Sequence, residues 1–151
     1  MTKSSETGKE TVVRLQPMLV NLIILDLEAK QLHWNVTGAL FRPLHEMFDE
    51  FVEAYRGWYD EVAERIRALD APADGRATTV AAAAKSGEVT AGLIRDREVI
   101  QVFLKRVETV AAGMRDQLEY LGERDLVTQD MVLGIVEGLE KQAWMLRAQL
   151  S

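Results

Sequence analysis

The sequence predicts an all-α protein: a four-helix bundle with a long crossover, holding a short helix, between its second and third helices. Three observations carry this. Apolar residues recur at helical spacing over four long segments. Strand-type alternation is nearly absent. Turn-forming residues gather between the segments, with the longest break after Leu69. A chain of 151 residues that is 48% hydrophobic suffices for one domain with its own core.

The first helix is expected from about Gln16 to Val36, with Leu19, Leu22, Ile23, Leu25 and Leu32 as its apolar positions. Pro17 suits its first turn, where a missing N–H costs nothing, and Thr37-Gly38 ends it. Residues 1–15 then form a polar N-terminal tail, and residues 16–151 the bundle. A second helix runs from about Pro43 to Leu69, stopped by Asp-Ala-Pro-Ala-Asp-Gly over 70–75. Ala81–Ala84 allow a short helix in the crossover. Thr90 offers an N-cap for a third helix reaching about Leu121, which Gly122 closes. The fourth opens at Thr128 and carries Val132, Ile135, Val136, Leu139, Ala143, Leu146 and Leu150. Four such helices with one crossover make the ferritin-like arrangement.

Composition removes several classes. With no cysteine, disulfides, iron–sulfur clusters and Cys-zinc sites are excluded. The apolar run Met18–Leu27 is broken by Asn21 and Asp26 and is too short for a bilayer, which takes about 20 residues. The start MTKSSETGKE is polar throughout, so a cytoplasmic location is expected. A net charge of −6 argues against a generic nucleic-acid-binding surface.

The chemistry lies between Gln31 and Ile66. Both histidines of the chain, His33 and His45, fall there, with Asp49, Asp60 and Glu64. Imidazole with carboxylates suits a divalent metal such as iron, zinc or manganese. His45/Asp49 and Asp60/Glu64 are each four residues apart, so each pair projects from adjacent turns. At about 100° per residue, Asp49, Asp60 and Glu64 fall at about 40°, 60° and 100° from His45, on one face. Yet Asp49 and Asp60 stand roughly 16 Å apart along the axis, too far for one ion bound at about 2 Å. Two readings follow. The pairs are unrelated, on a wet face, or the helix packs antiparallel against its copy from another subunit. In the second case His45/Asp49 meets the partner's Asp60/Glu64, with the crossing between Ala54 and Tyr55.

His33-Trp34-Asn35, Leu44-His45-Glu46 with Asp49, and the run Asp60-Glu61-Val62-Ala63-Glu64-Arg65 resemble the signature of the Dps mini-ferritins. The likeness extends over most of the chain, through Leu139-Glu140-Lys141 and Trp144, and the pattern H-x11-H-x3-D-x10-D-x3-E is kept in full. The resemblance implies a hollow shell of twelve subunits, a homo-oligomer that oxidises Fe(II), preferring hydrogen peroxide, and stores ferric mineral. It thereby protects against oxidative damage. It also implies a ferroxidase site between twofold-related subunits, with His33, His45 and Asp49 from one chain and Asp60 and Glu64 from its neighbour. A first iron is expected on Glu64, Asp49 and His33, and a weaker or water-bridged second on His45 and Asp60. Larger ferritins place E-x-x-H pairs inside each bundle; here Lys30 and Arg42 stand three residues before the histidines, which opposes an intrachain centre.

Other residues carry two readings each. Trp34 is an electron relay or an aromatic packed at a subunit contact. Glu46, Glu50 and Glu53 nucleate ferric mineral or form a solvated acidic face. Asp125 and Asp130 line threefold pores and steer cations, or they cap and compensate the fourth helix. Gly134 and Gly138 permit close packing in the core or at an interface; Met114, Met131 and Met145 read as core filler. DNA binding, as in a nucleoid-protective protein, is the alternative function and is not favoured. Lys3 and Lys9 are offset by Glu6 and Glu10, and twelve chains multiply a charge of −6. A purely structural helical oligomer leaves the His/Asp/Glu set unexplained.

Overall fold

The computed structural model describes residues 3–84 and 89–151, with side chains from residue 6 onward. The long helices are α1 (Lys3–Asn35), α2 (Phe41–Ala68), α4 (Asp96–Arg115) and α6 (Leu126–Ala148); α3 (Ala77–Ala83) and α5 (Leu118–Gly122) are short. Between them lie two-residue strands β1 (Val36–Thr37) and β2 (Ile94–Arg95), paired in parallel with Val36 opposite Ile94. Helix α1 packs along α2 and α4 along α6. The crossover from α2 to α4 passes α3 over α1, where Val80 joins Val20 and Ile24 in a small second cluster.

Each helix turns an apolar stripe inward. On α2 the buried residues are Leu44, Phe48, Phe51, Val52, Tyr55, Val62 and Ile66, spaced at the three- and four-residue intervals of one helical face. Phe48 meets Phe103 of α4 edge-on at 5.1 Å between centroids. Tyr55 buries its ring in the same cluster and donates its hydroxyl to Gln142 Oε1 at 2.7 Å; burial pushes that phenol well above its ordinary value. Met114 is buried, while Met131 and Met145 pack against the core from its edge.

Several boundaries differ from the sequence reading. Helix α1 begins at Lys3, so the polar segment before Gln16 is helical through its described residues; Met1 and Thr2 lie outside them. Its inward side holds it: Thr11 and Leu15 are fully buried, and Thr11 Oγ1 donates to the Thr7 carbonyl. Pro17 therefore sits inside the helix, not in its first turn. The third helix starts at Asp96, not Thr90, because Ile94 and Arg95 are drawn into the ladder with β1. It also stops at Arg115, and α5 follows as a separate turn. Gly122 is not a left-handed cap, since among the described glycines only Gly38 and Gly92 take positive φ. Gly122 instead admits Gln129, whose Nε2 lies 2.2 Å from where a Cβ would stand. The fourth helix opens at Leu126, with Asp125 as N-cap. In the crossover, α3 forms a turn earlier than Ala81.

Gly138 faces the interior, where a Cβ would stand 2.3 Å from the Trp58 ring. Gly134 has open space within the chain. Among the described residues, no helix is long and apolar enough to cross a membrane.

Candidate metal centre

His33 lies in the last turn of α1 and His45 in the second turn of α2. The corner between them is clamped. The β1–β2 ladder holds one side, and Asp96, which opens α4, accepts from the Leu40 and Arg97 backbone N–H at 2.9 and 2.8 Å. Those two bonds hold the Asp96 carboxyl below the usual range. Gly38, with φ at 118°, lets the chain pass this carboxylate; a Cβ would stand 2.4 Å from its oxygen. Glycine alone among the residues tolerates that position without strain.

The two imidazoles lock each other in place. His33 Nδ1 donates to the His45 carbonyl at 2.7 Å, and His45 Nδ1 donates to the His33 carbonyl at 2.9 Å. The rings stack at 3.7 Å with planes 15° apart. The His33 carbonyl lies in the last turn of α1, where carbonyls lack helical partners, so His45 also satisfies a helix end. A carbonyl only accepts, so each Nδ1 carries the proton and a neutral ring leaves its lone pair on Nε2. That is the tautomer a metal ligand needs, fixed by backbone in advance. His33 is only 6% exposed.

Asp49 stands one turn beyond His45, 3.6 Å from His33 Nδ1. Its carboxylate is held by a short contact from Lys30, whose ammonium draws the Asp49 pKa below its ordinary value. Phe41 closes the other side of His45, with centroids 5.1 Å apart. The structure thus brings His33, His45 and Asp49 together with Lys30. The Lys30 contact was not foreseen, although Lys30 lies three residues before His33 and so on its face.

Asp60 and Glu64 are exposed further along α2 and make no hydrogen bond or ion pair among the described residues. Among those residues no three His, Asp or Glu side chains form a group that could hold a metal ion. Asp26 of α1 is buried; its Oδ2 accepts from Arg56 Nε at 3.2 Å, while Oδ1 has no hydrogen-bond partner among the described residues.

The remaining sequence candidates are dispersed. Glu46 pairs with Arg42 at 2.8 Å, and Glu50 and Glu53 are exposed without such a partner among the described residues. Asp125 is committed locally: it accepts from Thr128 N at 3.1 Å and from Arg65 Nη2 at 2.8 Å through Oδ2. Burial raises its pKa, but the bonds from Thr128 and Arg65 outweigh that and leave it lowered. Asp130 is exposed one turn on, beside Leu126 and Val127, which are 69% and 64% exposed. Trp34 is 65% exposed.

A four-helix bundle with one long crossover is the ferritin-like arrangement. The family profile described as a ferritin-like domain matches residues 14–151. DNA protection during starvation protein 2 of Deinococcus radiodurans is 36% identical over 146 residues, 97% of this chain. The chain spans 61% of the length of that relative. The DNA protection during starvation protein of Mycolicibacterium smegmatis is 33% identical over 97% of this chain and 80% of its own. The Dps structure from Vibrio cholerae O1, described as a member of a broad superfamily of ferritin-like diiron-carboxylate proteins, superposes with a TM-score of 0.89. It shares 27% identity over 97% of this chain and 92% of that one. The chain belongs to the Dps family of ferritin-like proteins.

Proposed function

We propose that this chain is the subunit of a hollow dodecamer that oxidises Fe(II) with hydrogen peroxide and stores the ferric product. One observation supports the site above all: two histidines whose Nδ1 protons are both spent on backbone carbonyls, leaving both Nε2 lone pairs for a cation. Helix geometry supplies the rest. Asp60 and Glu64 lie too far along α2 to join that pair within one chain, and an antiparallel copy of α2 brings them opposite it.

Fe(II) is then a substrate, bound by His33, His45 and Asp49 of one subunit with Asp60 and Glu64 of the partner subunit. Hard carboxylate oxygens and imidazole nitrogen suit both iron oxidation states. One peroxide takes two electrons from two Fe(II) ions and, with two protons, leaves as two waters. Lys30 acts as a stand-in cation. It compensates the Asp49 carboxylate until Fe(II) arrives and then yields it, which keeps the half-site electrostatically balanced when empty.

Entry of Fe(II) rests on Asp130 more than Asp125, because Asp125 has both oxygens engaged by Arg65 and Thr128. Rings of free carboxylates attract cations over a distance set by salt. Glu50, exposed and without an ion-pair partner among the described residues, is the better placed of the acidic residues for mineral nucleation. The names of the relatives speak of DNA protection; in this chain Lys9 stands between Glu6 and Glu10 on α1, a poor start for a basic arm.

Anaerobic Fe(II) titration followed by hydrogen peroxide tests the reading. The expected result is saturable Fe(II) binding, then rapid growth of ferric absorbance at one peroxide for every two irons. Oxidation no faster than in protein-free buffer would overturn it.

A further inference from the structure

The outward stripe of α2 carries His45, Asp49, Glu53, Arg56, Asp60 and Glu64. Their spacings run four, four, three, four and four, a palindrome centred between Ala54 and Tyr55. At about 100° per residue all six fall within an arc of roughly 100°. Turned about a twofold axis at that centre, the stripe meets itself in a definite order. His45 lies opposite the partner's Glu64, Asp49 opposite the partner's Asp60, and Glu53 opposite the partner's Arg56. The pair nearest the axis has opposite charges and occurs twice.

Both members are available for it. Glu53 is exposed and makes no hydrogen bond or ion pair among the described residues. Among the described residues Arg56 spends only Nε, on Asp26 Oδ2 at 3.2 Å, while its side chain remains 57% exposed. Asp26 is nine-tenths buried, so it anchors the guanidinium through Nε and leaves both Nη groups to donate elsewhere. Next to Arg56, Gly57 would meet nothing within 4 Å if given a Cβ. A helix-interior glycine is destabilising relative to alanine, and nothing among the described residues requires one here. A neighbouring backbone approaching at this point would supply the reason.

We propose that Glu53 and Arg56 are positioning residues that set the register of the twofold contact. Each Arg56 bridges its own Asp26 and the partner's Glu53, and the two bridges hold each half-site opposite its complement. Sliding the helices by three residues in either direction sets Glu53 against the partner's Glu53 or Arg56 against the partner's Arg56. Like charges therefore oppose the misregistered pairings. This assignment rests on the shared-site reading above, and it moves Glu53 from mineral nucleation to the subunit contact.

Charge exchange tests it. One variant carries Glu53→Arg. The other carries Arg56→Glu with Asp26→Asn, and Asp26→Asn alone is its reference. Each charge-reversed chain alone should lose twofold association by about tenfold or more in dissociation constant, because both central pairs become repulsive. In an equal mixture the two chains complement each other at both pairs. With one chain isotope-labelled, native mass spectrometry of the twofold pairs should find mixed pairs well above the half that random association gives. Variants that associate like their references, or mixed pairs at one half, would overturn the proposal.

If a reversed chain fails to fold, as read by circular dichroism, Glu53→Gln, Arg56→Gln and their double variant replace it. Coupled residues predict a double variant no weaker in association than the weaker single one; additive losses would overturn the assignment. A wild-type chain that stays monomeric sinks the shared site itself. Wild-type pairs indifferent to all these substitutions sink only the register claim.

Discussion

Two inactive variants should regain ferroxidase activity when assembled together. One carries His33→Ala, His45→Ala and Asp49→Ala; the other carries Asp60→Ala and Glu64→Ala. Alone, one assembly lacks three and the other two of the five ligands at every site, and each should oxidise Fe(II) at the buffer rate. At a mixed twofold pair, one site inherits every substitution and the other is wild type. With equal random mixing half the pairs are mixed, so about a quarter of all sites should recover. Asp60 and Glu64 make no hydrogen bond or ion pair among the described residues, so their removal should leave the bundle intact. An intrachain centre would recover nothing, since neither chain holds a complete set. Zero activity in verified mixed assemblies would refute the shared site.

The largest stability effect is expected at Asp125. Its carboxylate caps α6 through Thr128 N and holds Arg65 through both oxygens, with side-chain exposures of 13% and 23% for the pair. Losing an N-cap costs about 1 kcal/mol, and stranding a largely buried guanidinium adds roughly 1–3 kcal/mol. Asp125→Ala should therefore destabilise by about 2–4 kcal/mol in denaturant unfolding at matched chain concentration. Asp125→Asn keeps a capping side chain and should recover the cap part alone.

The pH dependence has a definite sign. The folded pKa of Asp125 lies below its ordinary value, so its contribution is complete above about pH 4, the unfolded value. It fades as pH falls through the lower folded value. The gap between wild type and Asp125→Ala should be constant near neutrality and close in acid. A gap that widens in acid would show that the carboxylate is not held this way.

Much of the fold was legible because the long helices announce themselves through apolar period. The bounds of α2 shifted by only two residues at its start and one at its end. The misplaced boundaries were those set by distant contacts. The ladder of Ile94 with Val36 removed the first turn expected for the third helix. Burial of Thr11 and Leu15 extended the first helix into a segment that looks polar because only its inner edge is apolar. At the site, spacing alone showed that one helix cannot carry His45/Asp49 and Asp60/Glu64 to the same ion, since rise per residue is a fixed length. The reciprocal histidine bonds were not legible, because they depend on how two helices meet at a corner. Lys30 and Asp125 show the same limit. Their residue types suggested charge, and only the contacts revealed what that charge is spent on.

The central claim is that each iron site is completed by two chains. The most direct measurement is anomalous scattering at the iron edge from crystals of the assembly loaded with Fe(II) under anaerobic conditions. The account predicts iron density beside His33, His45 and Asp49, completed by Asp60 and Glu64 of the partner subunit, and repeated across the twofold axis. Iron bound by one chain alone, within the bundle or on its surface away from the two histidines, would contradict it.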